Sequence, residues 1–195
     1  MAINLKSLNL KRSRFSFTVI ELLVSITIIN VIILTAVGIY MLAIGSRQKT
    51  ISQTTLQQEG QYIMSLIAKD IRSSKVNYSA YGGAISNPTA TLALLDLTVT
   101  PAANVSYFRE LAGSQYFLKK QIGAGPAQAV TANDINVERL DFYIYPTTDP
   151  IVHGSTTFEN PKVTIVIKLK SLKERPGQST LTLQQTILQK WLEKK

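Results

Sequence analysis

The pattern of apolar and polar positions divides the chain into a long helical first third and a strand-rich remainder. From Leu22 to Ser46 there are 25 uncharged residues in a row, dense in Ile, Val and Leu. Coiled as a helix at about 1.5 Å per residue this run is about 37 Å long. A bilayer core is about 30 Å thick, so the run is long enough to cross with some tilt. Residues 47–75 then contain no proline. Leu56, Ile63, Ile67 and Ile71, with Met64 beside them, recur at helical spacing and form one apolar stripe. Gln53, Gln57, Gln61 and Lys69 occupy the opposite face. The pattern predicts one continuous helix from about Phe17 to Ser73, with Gly38, Gly45 and Gly60 as weak points of about 1 kcal/mol each relative to Ala.

Residues 77–90 are rich in Gly, Ser, Asn and Pro and predict a loop. Everything after them reads as β structure. Leu92 to Thr100 is one expected strand. Val105 to Leu111 and Gln115 to Lys119 flank Ala112-Gly113-Ser114, the signature of a hairpin. In 137–144, Leu140, Phe142 and Ile144 are expected to face the helix, with Val137, Arg139, Asp141 and Tyr143 on the other side. Val163, Ile165, Ile167 and Leu169 alternate with polar or half-polar neighbours, the clearest half-buried strand. Leu181, Leu183 and Ile187 mark a last strand, with Thr182, Gln184 and Thr186 outward. Polar loops are expected at 120–134, 146–161 and 171–179. A long helix covering an antiparallel sheet is an α+β solution, in which each layer buries the other's apolar face.

Composition narrows the chemistry. Hydrophobic residues make up 45% of the 195 and charged residues 17%, against a usual charged share of about 25%. That balance argues against a disordered chain. The absence of cysteine removes disulfides, thiol catalysis, iron–sulfur clusters and cysteine-based zinc sites. A single histidine, His153, makes polyhistidine metal sites and a Ser-His-Asp triad poor readings. Catalytic frames of the Gly-x-Ser-x-Gly kind are missing. Gly123-Ala124-Gly125-Pro126 lacks the length and the lysine of a phosphate loop. Asp134, Glu138 and Asp141 do not have the spacing of a calcium loop. No metal and no cofactor is expected, and the chain reads as a non-enzyme.

The net charge of +9 is uneven. Lys6, Lys11, Arg12 and Arg14 precede the apolar run without any acid, and Arg47 and Lys49 follow it. By the positive-inside rule the N-terminus is cytoplasmic and the bulk of the chain lies outside. A secretory signal is the simpler alternative, but its apolar region spans about 7 to 15 residues and ends in a small-residue cleavage site. The apolar run here is longer and is followed by a polar helix.

Glu21 is the one charge inside residues 15–44. It either sits at the membrane interface at little cost or meets a cation inside an assembly. Phe17-Thr18-Val19-Ile20-Glu21-Leu22-Leu23-Val24-Ser25, after a short basic leader, resembles the N-terminal signal of type IV prepilins and type II secretion pseudopilins. The resemblance implies a pilin-like fold, with residues 1–16 as leader, 17–46 as transmembrane or filament-stem helix and 47–195 as globular head. Within the head, 47–75 would be the amphipathic helix and 91–195 the β-rich part. Ser16, where the family usually has Gly, would be the last leader residue. Phe17 would be the mature, N-methylated first residue, freed by a prepilin peptidase. Val19 stands where Leu is commoner. Glu21 matches the family's glutamate, whose implied role is to meet the N-terminal amine of a neighbouring subunit. Loss of residues 1–16 leaves 17 basic and 12 acidic side chains, a formal +5, so nearly half of the charge belongs to targeting.

A looser resemblance is carried by LQQEGQYIMSLIAKDIR (56–72), VERLDFYIY (137–145) and PKVTIVIKL (161–169). These are similar to J-type minor pseudopilins and W-type minor pilins. The implied partners are the peptidase, other major and minor (pseudo)pilins and an inner-membrane assembly platform. The implied location is the bacterial inner membrane, then a periplasmic or surface filament. Two other readings stay open. One is a DNA-uptake filament subunit using its tyrosines (78, 81, 107, 116, 143, 145) and lysines (119, 120, 168, 170, 173). The other is an anchored surface protein that never polymerises. Asp70 and Arg72 are expected to be solvated charges at the end of the helix.

Overall fold

The computed structural model describes residues 18–150, 160–173 and 179–189. Residues 1–16, expected as a leader, together with Phe17 and His153, therefore lie outside the described residues. The chain separates into two units, Met1–Ser46 and Arg47–Lys195, while one helix, α1, runs Val19–Ser73. Gly38, Gly45 and Gly60 do not interrupt it. Its N-terminus is capped by Thr18, whose Oγ1 and carbonyl oxygen accept from the Glu21 N–H at 3.3 and 3.1 Å. This satisfies one of the donors that every helix start leaves free.

In the second unit α1 buries one stripe against the sheets and leaves its opposite face exposed. Leu56, Ile63, Ile67 and Ile71 are at most 1% exposed, as their spacing predicts. They pack into one core with the inward rows of two antiparallel sheets. The first sheet has the order β1 (Ser74–Val76), β2 (Thr91–Asp96), β3 (Ala103–Ala112), β4 (Gln115–Ile122), β5 (Gln128–Ala129). The second is β6 (Ile135–Tyr145), β7 (Lys162–Ser171), β8 (Thr180–Leu188). The α+β class follows directly from this layering.

Several boundaries differ from the sequence expectation, each for a local reason. The helix is followed at once by β1, too short to give a pattern, and by a 3₁₀ turn at Tyr78–Tyr81. Gly82 ends that turn at φ +67°, a conformation glycine adopts without steric cost. β2 stops at Asp96, short of Thr100. The Asp96 carboxylate accepts from the Thr98 N–H at 2.8 Å and its hydroxyl at 2.6 Å, an Asx turn that ends the strand. The expected 120–134 loop contains the end of β4 and all of β5. Its first residues have an antiparallel partner in β3, which a one-dimensional pattern does not reveal.

The register of β6 is the main correction. Val137 was expected opposite Leu140, yet both are buried. The pairing with β7 shifts between Val137 and Arg139, so Glu138 is an inserted residue. Such a bulge resets the alternation and turns residues on both sides of it to the core. β7 and β8 keep the expected faces: Val163, Ile165, Ile167 and Leu169 are fully buried, and Thr182, Gln184 and Thr186 are outward.

Candidate functional site

The apolar half of α1 is long and apolar enough to cross a membrane, and none of that stretch is buried within the chain. Its polar residues are mostly self-satisfied. Ser25 Oγ donates to the Glu21 carbonyl at 2.7 Å, Thr27 Oγ1 to Val24 at 2.7 Å, and Thr35 Oγ1 to Ile32 at 2.8 Å. Back-bonding of this kind lets hydroxyls sit on an apolar helix without a solvent partner. Glu21 lies in the first turn, where the helix dipole favours a negative charge. Thr18-Val19-Ile20-Glu21 has the Thr-x-x-Glu spacing of a capping box. That spacing was the available signal for Thr18, which sequence reading placed only inside the family motif. Ser16 and Phe17 lie outside the described residues, so the geometry around Glu21 begins at Thr18.

At the other end of the helix, Asp70 corrects the expectation of a solvated charge. Its Oδ2 accepts from the Tyr107 hydroxyl at 2.5 Å and from Lys120 Nζ at 2.6 Å. Lys120 also lies 5.6 Å from the Tyr107 ring centroid. The carboxylate is mostly covered, and burial, then the Asp70 hydrogen bond, push the Tyr107 phenol well above its usual range. Asp70 thereby fastens α1 to β3 and β4. Arg72 stays exposed as expected. Gly60 lies close against the second sheet: a Cβ there would come within 2.4 Å of Leu183 Cδ1 and 3.4 Å of Leu181 Cδ2.

The other charged and aromatic candidates are occupied by partners within the head. Asp134 holds Lys173 at 2.6 Å, and Glu138 holds Lys168 at 2.8 Å and Lys170 at 3.7 Å. Those lysines hold the Asp134 and Glu138 carboxyls below their ordinary range. Asp141 pairs with Arg139, and Lys119 with Glu110 at 2.8 Å. No group of three or more metal-ligating side chains occurs among the described residues. Tyr78 donates to the Pro146 carbonyl at 3.0 Å, Tyr81 to Thr91 at 3.1 Å, and Tyr116 is stacked by Arg109 at 4.2 Å. Of the six candidate tyrosines, Tyr145 is the most exposed, with Lys162 5.7 Å from its centroid. Gly123-Ala124-Gly125-Pro126 serves as a tight turn after β4, with the Gly125 N–H donating to the Ile122 carbonyl at 3.0 Å.

The described geometry is an aliphatic helix surface with one acid in its first turn, and a head of two antiparallel sheets. No family model, no curated protein and no solved structure matches the chain.

Proposed function

We propose that this protein is a minor (pseudo)pilin-like subunit of a type IV pilus-like or type II secretion filament. It enters the bacterial inner membrane with its N-terminus cytoplasmic, is cut between Ser16 and Phe17 by a prepilin peptidase, and is incorporated through its N-terminal helix. It is a substrate of the peptidase and performs no catalysis. The observation that carries this reading is the single helix Val19–Ser73. Its aliphatic half has no cover among the described residues and bears one acid in its first turn, while its second half packs one stripe into the core of an antiparallel head.

The physics supports a role for Glu21 in register. A carboxylate within a bilayer costs roughly 2.5–3.5 kcal/mol or more when unpaired. An α-amine with a pKa near 7.7–8 is largely cationic at neutral pH. Pairing Glu21 with the new amine of a neighbour would favour one axial stagger, because removing one partner of a buried pair costs about 3–5 kcal/mol. The DNA-uptake reading is weakened, since Lys119, Lys120 and Lys173 each pair with a carboxylate and Lys168 and Lys170 share that of Glu138.

Intact mass and N-terminal sequencing of the protein from its native cell, with and without the peptidase, test the reading. The expected product begins at methylated Phe17. A product beginning at Met1 or Ala2, or cut after the apolar run, overturns it. Glu21→Gln should leave cleavage unchanged and abolish incorporation; normal incorporation of that variant would leave a simple membrane anchor as the better description.

A further inference from the structure

On β6, β1 and β4, outward backbone groups at the edges of the head are met by side chains or loop backbone. On β6, Phe142 and Thr89 exchange N–H to carbonyl bonds of 2.9 and 2.8 Å. The Asn87 side chain does the same for Ile144, accepting at 2.9 Å and donating at 2.8 Å. On β1, Gln189 Oε1 accepts from the Val76 N–H at 3.4 Å and its amide nitrogen donates to the Ser74 carbonyl. On β4, Asn136 Oδ1 accepts from Tyr116 N–H at 2.7 Å, and Thr131 Oγ1 from Leu118 N–H at 3.2 Å. Lys120 pairs with Gln128 and Ile122 with Gly125. β5 is only two residues long. Covered and very short edges are how sheets avoid unwanted pairing.

β8 has none of these guards. Gln189 N–H donates to the Pro161 carbonyl and Ser171 N–H to Ser179. In the unbroken β7–β8 register this parity turns the backbone groups of Leu181, Leu183, Gln185 and Ile187 toward β7. The N–H and C=O of Thr180, Thr182, Gln184, Thr186 and Leu188 therefore point away from the sheet. No described group pairs with them. The strand contains no charge, no proline and no bulge. On its inner face Leu181 and Leu183 are only partly buried, so the core is left open along this side.

We propose that β8 is an acceptor edge for a strand donated by a different subunit, an uncharged extended segment alternating aliphatic with Thr- or Gln-like residues. Its aliphatic row would extend the core beside Leu181 and Leu183, and its polar row would continue Thr182, Gln184 and Thr186. Main-chain bonds supply affinity and the alternation supplies specificity in strand addition of this kind. A second copy does not fit. β6, β1 and β4 carry the plugs described above, and antiparallel β8–β8 pairing has a two-fold axis normal to the sheet. Because α1 lies on the inner face at Gly60, that axis would leave the two helices antiparallel. Chains inserted from one side of one membrane cannot adopt that arrangement, and this last step rests on the membrane-anchored reading above.

Adjacent residues make the test clean. The Gln184 N–H points outward, whereas the Gln185 N–H bonds β7. In the full-length protein, Gln184→Pro should keep the thermal unfolding midpoint, because only an outward donor is lost. Gln185→Pro should lower it. Amide exchange is then measured on the purified chain in detergent and on the chain in native membranes with its other subunits. The expected result is fast exchange at Thr182 and Gln184 in detergent and at least about tenfold slower exchange in the membranes, lost in Gln184→Pro at the neighbouring Thr182. Fast exchange in both settings overturns the proposal, as does protection already present in the lone chain. Protection produced simply by concentrating the purified chain would also overturn it, in favour of self-pairing. Cleavage to Phe17 is read separately by mass in the same samples, so failure of the filament reading is distinguishable from failure of the edge.

Discussion

Along the apolar half of α1, Val19 is 81% exposed and Leu42 76%, whereas in the second half Leu56, Ile63, Ile67 and Ile71 are at most 1% exposed. Both halves are built of the same aliphatic residues in the same backbone geometry. The second half concentrates them in one stripe, with glutamines opposite, and a sheet can cover a stripe. The first half is apolar all round, and a helix of that kind needs surroundings that are apolar all round, as lipid or packed neighbouring helices are. The difference teaches that distribution around the helix, rather than hydrophobicity itself, separates a surface that its own chain can bury from one that it cannot.

The largest test of that contrast is a core truncation. Ile67→Ala should destabilise the head by about 2–5 kcal/mol, read as a fall in the denaturant midpoint, while Ile32→Ala should leave that midpoint unchanged. Next, on the membrane-anchored reading proposed above, Ile33→Lys should cost about 2.5–3.5 kcal/mol of membrane insertion, seen as a smaller share in the membrane fraction, with the head still folding normally. Gly60→Val should lower head stability by about 1–3 kcal/mol, since the added side chain meets Leu183 and Leu181. Gly38, with nothing within 4 Å of its position, should tolerate the same change. Tyr107→Phe should cost about 1–3 kcal/mol by removing one partner of the mostly covered Asp70 carboxylate.

The last test is in pH. Tyr78 is pushed up to about 12 from 10.0, first by burial and then by Asp149, and burial also raises Tyr81 and Tyr107. A raised folded pKa gives stability that is present below the unfolded value and lost as pH rises toward the folded one. The unfolding midpoint should therefore fall between about pH 10 and 12. Asp96, Asp134 and Glu138 are shifted down by Thr98, Lys173 and Lys168. Their contribution is present above the ordinary carboxylate range and lost in acid. Being near the surface, it should be small and weakened by salt. A head whose midpoint is flat above pH 10 would show that the tyrosines do not stay protonated in the fold.

The elements that could be read from the chain are those with a strong internal period. The stripe from Leu56 to Ile71 and the alternation of β7 and β8 each repeat often enough to define a face. β1 and β5, of three and two residues, carry no period, and they exist because a neighbouring strand offers backbone partners. The bulge at Glu138 is invisible for the same reason, since an inserted residue is defined by its partner strand. Of the candidate site, Glu21 stands out in the sequence because a lone acid in an apolar run is a local signal, while the Thr18 cap was missed although its Thr-x-x-Glu spacing is local too. Asp70 was misread as solvated because Tyr107 and Lys120 approach it from 37 and 50 positions away.

The sequence alone determined the long helix, its division into an all-round apolar half and a one-stripe half, and the faces of the last two strands. These depend on side-chain order within a few turns or pleats, which is local information. Only the tertiary structure decided which carboxylate is covered, where β6 shifts its register, and which sheet edges are plugged by Asn87, Asn136 and Gln189. Hydrogen bonds between distant segments are fixed by how layers pack and in what register, and no stretch of chain encodes its partner's position by itself.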